Sequence, residues 1–148
     1  MLSFREFRPD DLAALEIQHQ QSLEMMGVAD WAAMGVAAAE RGPAWTGTIG
    51  GRPVGCAGFA IMWPGRAAAW CFLACGIPRM AWPAVHRAVK SRMAQLPALG
   101  IHRVECEVAH GFLPGHRWVR MLGFDHEGVM RAYGPDGRDF HRYARVFT

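Results

Sequence analysis

Charge is scarce in this chain and nowhere clustered. Asp, Glu, Lys and Arg make up only 20% of its 148 residues, against 51% hydrophobic residues. That balance excludes a disordered, self-solvating polymer. The formal net charge is +3 with no block of like charges, so nothing marks a nucleic-acid arm, and no nucleic-acid partner is expected. The mild positive excess suits an anionic ligand. Long apolar runs are also missing. No window approaches the ~20 residues of a membrane span, so no membrane association is expected. Met1 to Arg8 alternates charged and apolar residues and does not read as a signal peptide. Cysteine pairs are absent too. Cys56, Cys71, Cys75 and Cys106 form no C-x-x-C, and three of them sit in apolar, strand-like runs. They read as buried free thiols of a reducing, cytoplasmic setting. His102, His110, His116, His126 and His141 show no ligand spacing, so no metal site is expected. No repeat, linker or low-complexity stretch divides residues 1–148, which read as a single domain.

What is present is a regular alternation of short elements. Leu2 to Arg8 predicts a first strand. Arg8-Pro9-Asp10-Asp11 predicts a helix start with Asp10 as N-cap, and Leu12, Leu15, Leu23 and Met26 share one face around His19. Gly27 ends that helix. Asp30 caps an alanine-rich second helix that stops at Gly42-Pro43. Ala44–Ile49, Gly50-Gly51 and Arg52–Met62 predict a hairpin, with Gly55 and Gly58 marking a bulge or a close backbone approach. Pro64-Gly65 turns the chain into Ala67–Ala74, whose unbroken apolar run predicts a central strand covered on both faces. Pro83 opens a helix with a stripe of Val85, Val89, Met93 and Leu96. Ile101 to Ala109 alternates again, with Arg103, Glu105 and Glu107 on one side. Pro114 opens a short helix in which Trp118, Met121 and Leu122 share a face. A closing hairpin turns at Gly134-Pro135-Asp136-Gly137. The order β-α-α-β-β-β-α-β-α-β-β predicts an α/β (α+β) fold: a mixed central sheet with helices on both faces and one parallel strand pair at the middle crossover.

This order resembles the GNAT N-acetyltransferase fold along nearly the whole chain. The carrying residues are His116 to Phe124, ending in Leu122-Gly123-Phe124, then Glu127-Gly128. Phe7-Arg8-Pro9-Asp10-Asp11 and the Gly50-Gly51-Arg52-Pro53-Val54-Gly55 turn add to the resemblance. Trp70 to Ala74, Arg117-Trp118 and Phe140-His141-Arg142-Tyr143 resemble phage-encoded relatives, some of which have structural roles in the virion. The resemblance implies an acyl-CoA-dependent N-acyltransferase, with acetyl-CoA as cosubstrate and an amine as acceptor. The alternative it allows is a fold retained without catalysis, in a binding or phage-particle role.

Under that resemblance, backbone N–H groups near Leu73, Ala74, Cys75 and Gly76 would hold the thioester, and Arg79 and Ala84 fall in the diphosphate loop. The family's loop reads Q/R-x-x-G-x-G/A. Here Arg79-Met80-Ala81-Trp82-Pro83-Ala84 puts Trp82 at the glycine, and Pro83 lacks an N–H. Weak or absent acetyl-CoA binding is therefore expected. Val119 stands where the family often has a tyrosine acid, and Phe112 lies near its asparagine. His110, Glu105 and Tyr133 remain as candidate proton carriers. Glu105 and Glu107 read more readily as a solvated or ion-paired sheet face with Arg103, and Tyr133 equally as packing against Tyr143. Arg79, Arg87 and Lys90 suit phosphate or plain solvent. Trp118 and Phe124 are expected as core anchors. Trp31, Trp45 and Trp63 are expected to line a cleft or a subunit contact, as in a homodimer.

Overall fold

A computed structural model describes residues 1–17 and 30–148. Seven strands form one sheet: β1 (Leu2–Glu6), β2 (Ala44–Ile49), β3 (Arg52–Trp63), β4 (Arg66–Leu73), β5 (Arg103–Ala109), β6 (Asp125–Met130) and β7 (Phe140–Val146). Their spatial order is β1-β2-β3-β4-β5-β7-β6. Every neighbouring pair is antiparallel except β4 and β5. The helices are α1 (Asp11–Ala14), α2 (Trp31–Arg41), α3 (Trp82–Ala94) and α4 (Leu113–Met121). The chain order is the one the sequence predicts, with the parallel pair at the α3 crossover. Among the described residues, no helix is long and apolar enough to cross a membrane.

Two apolar layers hold the sheet. On one face Phe7, Leu12, Leu15, Ala44, Cys56 and Ala74 pack with α1 and α2. On the other, Met93, Leu96, Val104, Val108, Val119, Leu122, Phe124 and Tyr143 pack under α3 and α4. Leu12 and Leu15 are buried as their spacing predicts, whereas His19, Leu23, Met26 and Gly27 lie outside the described residues.

Local chemistry explains the boundaries. Asp30 accepts from the Ala33 N–H at 3.0 Å and starts α2. Asp10 occupies the cap position of α1 without a side-chain cap hydrogen bond. Its neighbour does the binding instead. Buried Asp11 accepts from the Arg8 N–H, from Thr46 Oγ1 and from both terminal nitrogens of Arg5, all at 2.7–2.8 Å. Gly50 and Gly51 both take positive φ, 58° and 77°, as the two-residue β2–β3 turn requires. At Gly58 a Cβ would meet Ala44 Cβ at 2.7 Å and Trp70 Cζ2 at 2.8 Å, so this glycine marks the close approach foreseen there.

Two packing expectations need correction. Met121 is exposed, and Val119 joins Leu122 in the buried face of α4. Phe124 is a core anchor, but Trp118 is only half-buried and donates its indole N–H to His86 Nδ1 at 3.1 Å. The thiols divide as well: Cys56 and Cys106 are buried, Cys71 is half-buried and Cys75 is exposed.

Candidate active site

The parallel pair is short. Strands β4 and β5 are in register only from Arg66–Arg103 to Ala68–Glu105. Beyond Ala68 they diverge, because no ladder holds the rest of β4 to the rest of β5. The gap opens into a cavity of about 530 Å³ that reaches both faces of the sheet. That volume lies within the ~300–1,000 Å³ of small-molecule sites. Its walls are mostly apolar: Trp70, Phe72 and Leu73 from β4, Cys106 and Val108 from β5, Val85 and Val89 from α3, Phe112 and Trp118 around α4. Glu107 and Tyr133 supply polar groups within this lining.

Those two groups face each other. The Tyr133 hydroxyl donates to Glu107 Oε1 at 3.4 Å, and Arg142 Nη1 stands 4.0 Å from the same carboxylate. Burial raises the Glu107 carboxyl above its ordinary value, against the opposing pull of Arg142 and of Tyr133. Burial and the Glu107 charge raise Tyr133 as well, so it stays a donor. A carboxylate with raised proton affinity beside a neutral phenol is an arrangement suited to proton transfer. Tyr133 packs its ring on Phe140, with centroids 5.4 Å apart, rather than on Tyr143.

Glu105 has a different surrounding. It is 3% exposed and accepts from Arg66, from Arg103 Nε at 2.8 Å and from Arg142 Nη1 at 2.6 Å. Burial alone would raise its carboxyl, but the Arg66 and Arg103 hydrogen bonds and the Arg142 charge hold it at about 2. It is an ion-pair anchor, held in its charged form by three arginines. His110 sits just past β5, but its ring turns away from the cavity. It stacks on His141, with centroids 5.2 Å apart, and its Nδ1 lies 2.9 Å from His141 Nε2. His141 Nδ1 lies 2.8 Å from His126 Nε2, and His116 spans Tyr143 Oη and the Ala109 carbonyl. Among the described residues, no group of three or more His, Cys, Asp or Glu is disposed to hold a metal ion.

The loop side of the cavity carries the departures foreseen from Trp82 and Pro83. Residues Arg79–Ala81 form a single 3-10 turn leading into α3. The Ala81 N–H is bonded to the Pro78 carbonyl at 2.9 Å, and the Trp82 N–H to the Arg79 carbonyl. Pro83 has none. Three consecutive positions at the start of α3 thus offer no free amide to a phosphate. Arg79 is exposed and Ala84 half-buried. On β4, Leu73 is buried against the cavity. Ala74 and Cys75 spend their N–H groups on the Val54 and Glu16 carbonyls, each at 2.8 Å, and Gly76 takes φ +76°. Sequence reasoning paired Glu107 with Glu105 and did not separate them. Strand alternation puts both on one face, and only the divergence of β4 from β5 exposes Glu107 to the cavity.

No protein-family model matches the sequence, and no curated protein matches it. Its structure is similar to many solved ones. An acetyltransferase of the GNAT family from Streptococcus pneumoniae has a TM-score of 0.71 at 11% identity, covering 100% of each chain. The ribosomal-protein-alanine N-acetyltransferase of Brucella melitensis has a TM-score of 0.76 at 15% identity, covering 98% of this chain and 99% of the other. The Salmonella typhimurium protein yncA, solved with its cofactor acetyl-CoA, has a TM-score of 0.76 at 16% identity, covering 99% and 94%.

Proposed function

The chain has the GNAT fold, and we propose that it is an N-acyltransferase that takes an acyl thioester in the cleft between β4 and β5. The observation that carries this reading is the Glu107–Tyr133 pair at one side of a mostly apolar cleft. In the proposed reaction the amine nitrogen attacks the thioester carbon and the C–S bond breaks. The amine proton passes to Glu107, and Tyr133 gives its own proton to the departing thiolate and recovers one from Glu107. The acyl donor is held mainly through its thioester arm, since the diphosphate side lacks free amides. Acetyl-CoA is the simplest donor of this chemistry, and the acceptor is an amine of a small molecule or a protein.

A second reading keeps the fold and drops the reaction, leaving a binding or virion-structural protein. The bonded amides of Ala81 and Trp82 and the missing one at Pro83 favour it. Thiol release from acetyl-CoA with a panel of amines separates the two. Turnover that falls at least a hundredfold in Glu107→Gln supports the enzyme. Absence of turnover with every amine, at millimolar acetyl-CoA, supports the second reading.

A further inference from the structure

The cleft has a second lobe that the proposed reaction does not use. It lies between α3 and the sheet, over β2, β3 and β4. The reason for the space is in the sequence. The side of the sheet that carries Trp45 and Phe59 also carries Gly47, Gly55, Ala57 and Ala69, four residues with little or no side chain to fill the gap under α3. The lobe is therefore a built feature of β-strand register rather than an accident of one loop.

Into this apolar lobe comes one cation, Arg92 of α3. Its guanidinium lies over the Trp45 ring at 4.8 Å and the Phe4 ring at 5.4 Å. Nη1 donates to the Ala88 carbonyl at 3.2 Å. Nε is shielded from solvent and has no hydrogen-bond partner among the described residues. Burial lowers its proton affinity, and among the described residues no carboxylate opposes that effect. Arg145, also half-buried, likewise has no carboxylate among the described residues but donates to the Leu122 carbonyl, whereas other half-buried arginines are ion-paired. Arg5 is paired with Asp11, and Arg66, Arg103 and Arg142 with Glu105. Aromatic faces attract a cation but do not neutralise it. A guanidinium in an apolar wall, with an unused donor and no anion beside it among the described residues, is the recognition chemistry of a carboxylate.

We infer that this lobe binds an amphiphilic monocarboxylate, its apolar body under α3 and its carboxylate on Arg92. The inference does not rest on acyl transfer, because it draws on neither Glu107 nor Tyr133.

The test is calorimetric titration of the intact chain with decanoate, decanol and decylamine, all below their aggregation concentrations. Decanoate should bind saturably, at least tenfold tighter than decanol, and decylamine more weakly still. Arg92→Met keeps the length and apolar contact of the side chain and removes the charge. It should weaken decanoate at least tenfold and leave decanol unchanged. Glu107→Gln should leave decanoate binding intact even where it abolishes turnover, so failure of one proposal is visible apart from failure of the other. Equal binding of decanoate and decanol, or no saturable binding of decanoate, overturns the inference. That comparison uses the unmutated protein and stands if Arg92→Met does not fold.

Discussion

Replacing Glu105 by glutamine tests whether the outer half of the sheet is held by one buried anion. The carboxylate is 3% exposed and meets Arg66, Arg103 and Arg142 from β4, β5 and β7. Removing its charge leaves three guanidinium groups facing one another over a neutral amide. Breaking a buried pair in this way costs about 3–5 kcal/mol. An independent figure comes from the proton. The carboxyl moves from 4.5 to about 2, and at ~1.4 kcal/mol per pH unit this corresponds to about 3 kcal/mol of stability. The sign follows from the direction of the shift. The folded carboxyl is the stronger acid, so its contribution is fully present above pH 4.5 and disappears as the pH falls towards 2. Buried Asp11, held at about 2 by Arg5, Thr46 and the Arg8 N–H against the effect of its burial, adds a smaller loss in the same direction. With a urea slope of ~1–3 kcal/mol/M, Glu105→Gln should lower the urea midpoint at pH 7 by roughly 1–3 M. The variant should then show only the smaller acid destabilisation tied to Asp11. Equal midpoints for the two proteins at pH 7, or an undiminished acid loss in the variant, would refute the anchoring role.

Other consequences are as direct. Acyl transfer should fall away as the pH drops through the raised Glu107 value, giving an acid limb above that of an ordinary carboxyl. A pH–rate profile of kcat/KM checks this, and a limb at or below the ordinary range counts against Glu107 as the base. Phe124→Ala should cost about 3–5 kcal/mol. Trp118→Ala should cost less, because the indole is only partly buried; denaturant melts that reverse the order would contradict the packing. Gly58→Ala should destabilise by about 1–3 kcal/mol, since the new methyl meets three neighbours at 2.7–2.9 Å, and an unchanged melting temperature would count against the close approach. A thermal shift with acetyl-CoA should be small in the unmutated chain and larger in Trp82→Gly combined with Pro83→Ala. A clear saturable shift at micromolar acetyl-CoA in the unmutated chain would show that the loop amides are dispensable.

The fold was legible because it rests on periodicity. The unbroken apolar run from Ala67, the Val85–Val89–Met93–Leu96 stripe and the alternation through Val104, Cys106 and Val108 each state which face is buried, and together they leave one arrangement of the crossover. The short signals were legible where one residue has one physical job, as at Asp30, Gly50-Gly51 and Gly58. They were less so where two neighbours compete for it. Asp10 and Asp11 have the same side chain, and only the positions of Arg5 and Thr46 on β1 and β2 decide which one is drawn inward. Met121 and Val119 raise the same difficulty on α4, where Val119 is buried and Met121, about 200° further round, is exposed. His110 belongs to this class too: its partner His141, itself bonded to His126, comes from a strand far along the chain, and no local pattern announces it.

The site divides along the same line, and the division bears on its chemistry. Loss of the phosphate amides is a local event, visible in Trp82 and Pro83 and completed by the 3-10 turn that consumes the Ala81 and Trp82 N–H groups. The separation of Glu105 from Glu107 is non-local, because it depends on where β4 leaves β5. Glu105 sits at the last paired position, opposite Ala68, and is pinned by arginines on three strands. Two residues on, Glu107 has lost the β4 neighbour and faces the gap instead. One carboxylate therefore fixes the point from which the strands diverge, and the next stands in the opening that divergence creates. Loosening the first should displace the second. Glu105→Gln should consequently lower turnover even at pH 7 and low temperature, where the variant remains folded, and it should do so with a shift in the acid limb assigned to Glu107. Undisturbed turnover and an unmoved pH profile in a folded Glu105→Gln protein would show that the two carboxylates are independent and that the strand divergence is set elsewhere.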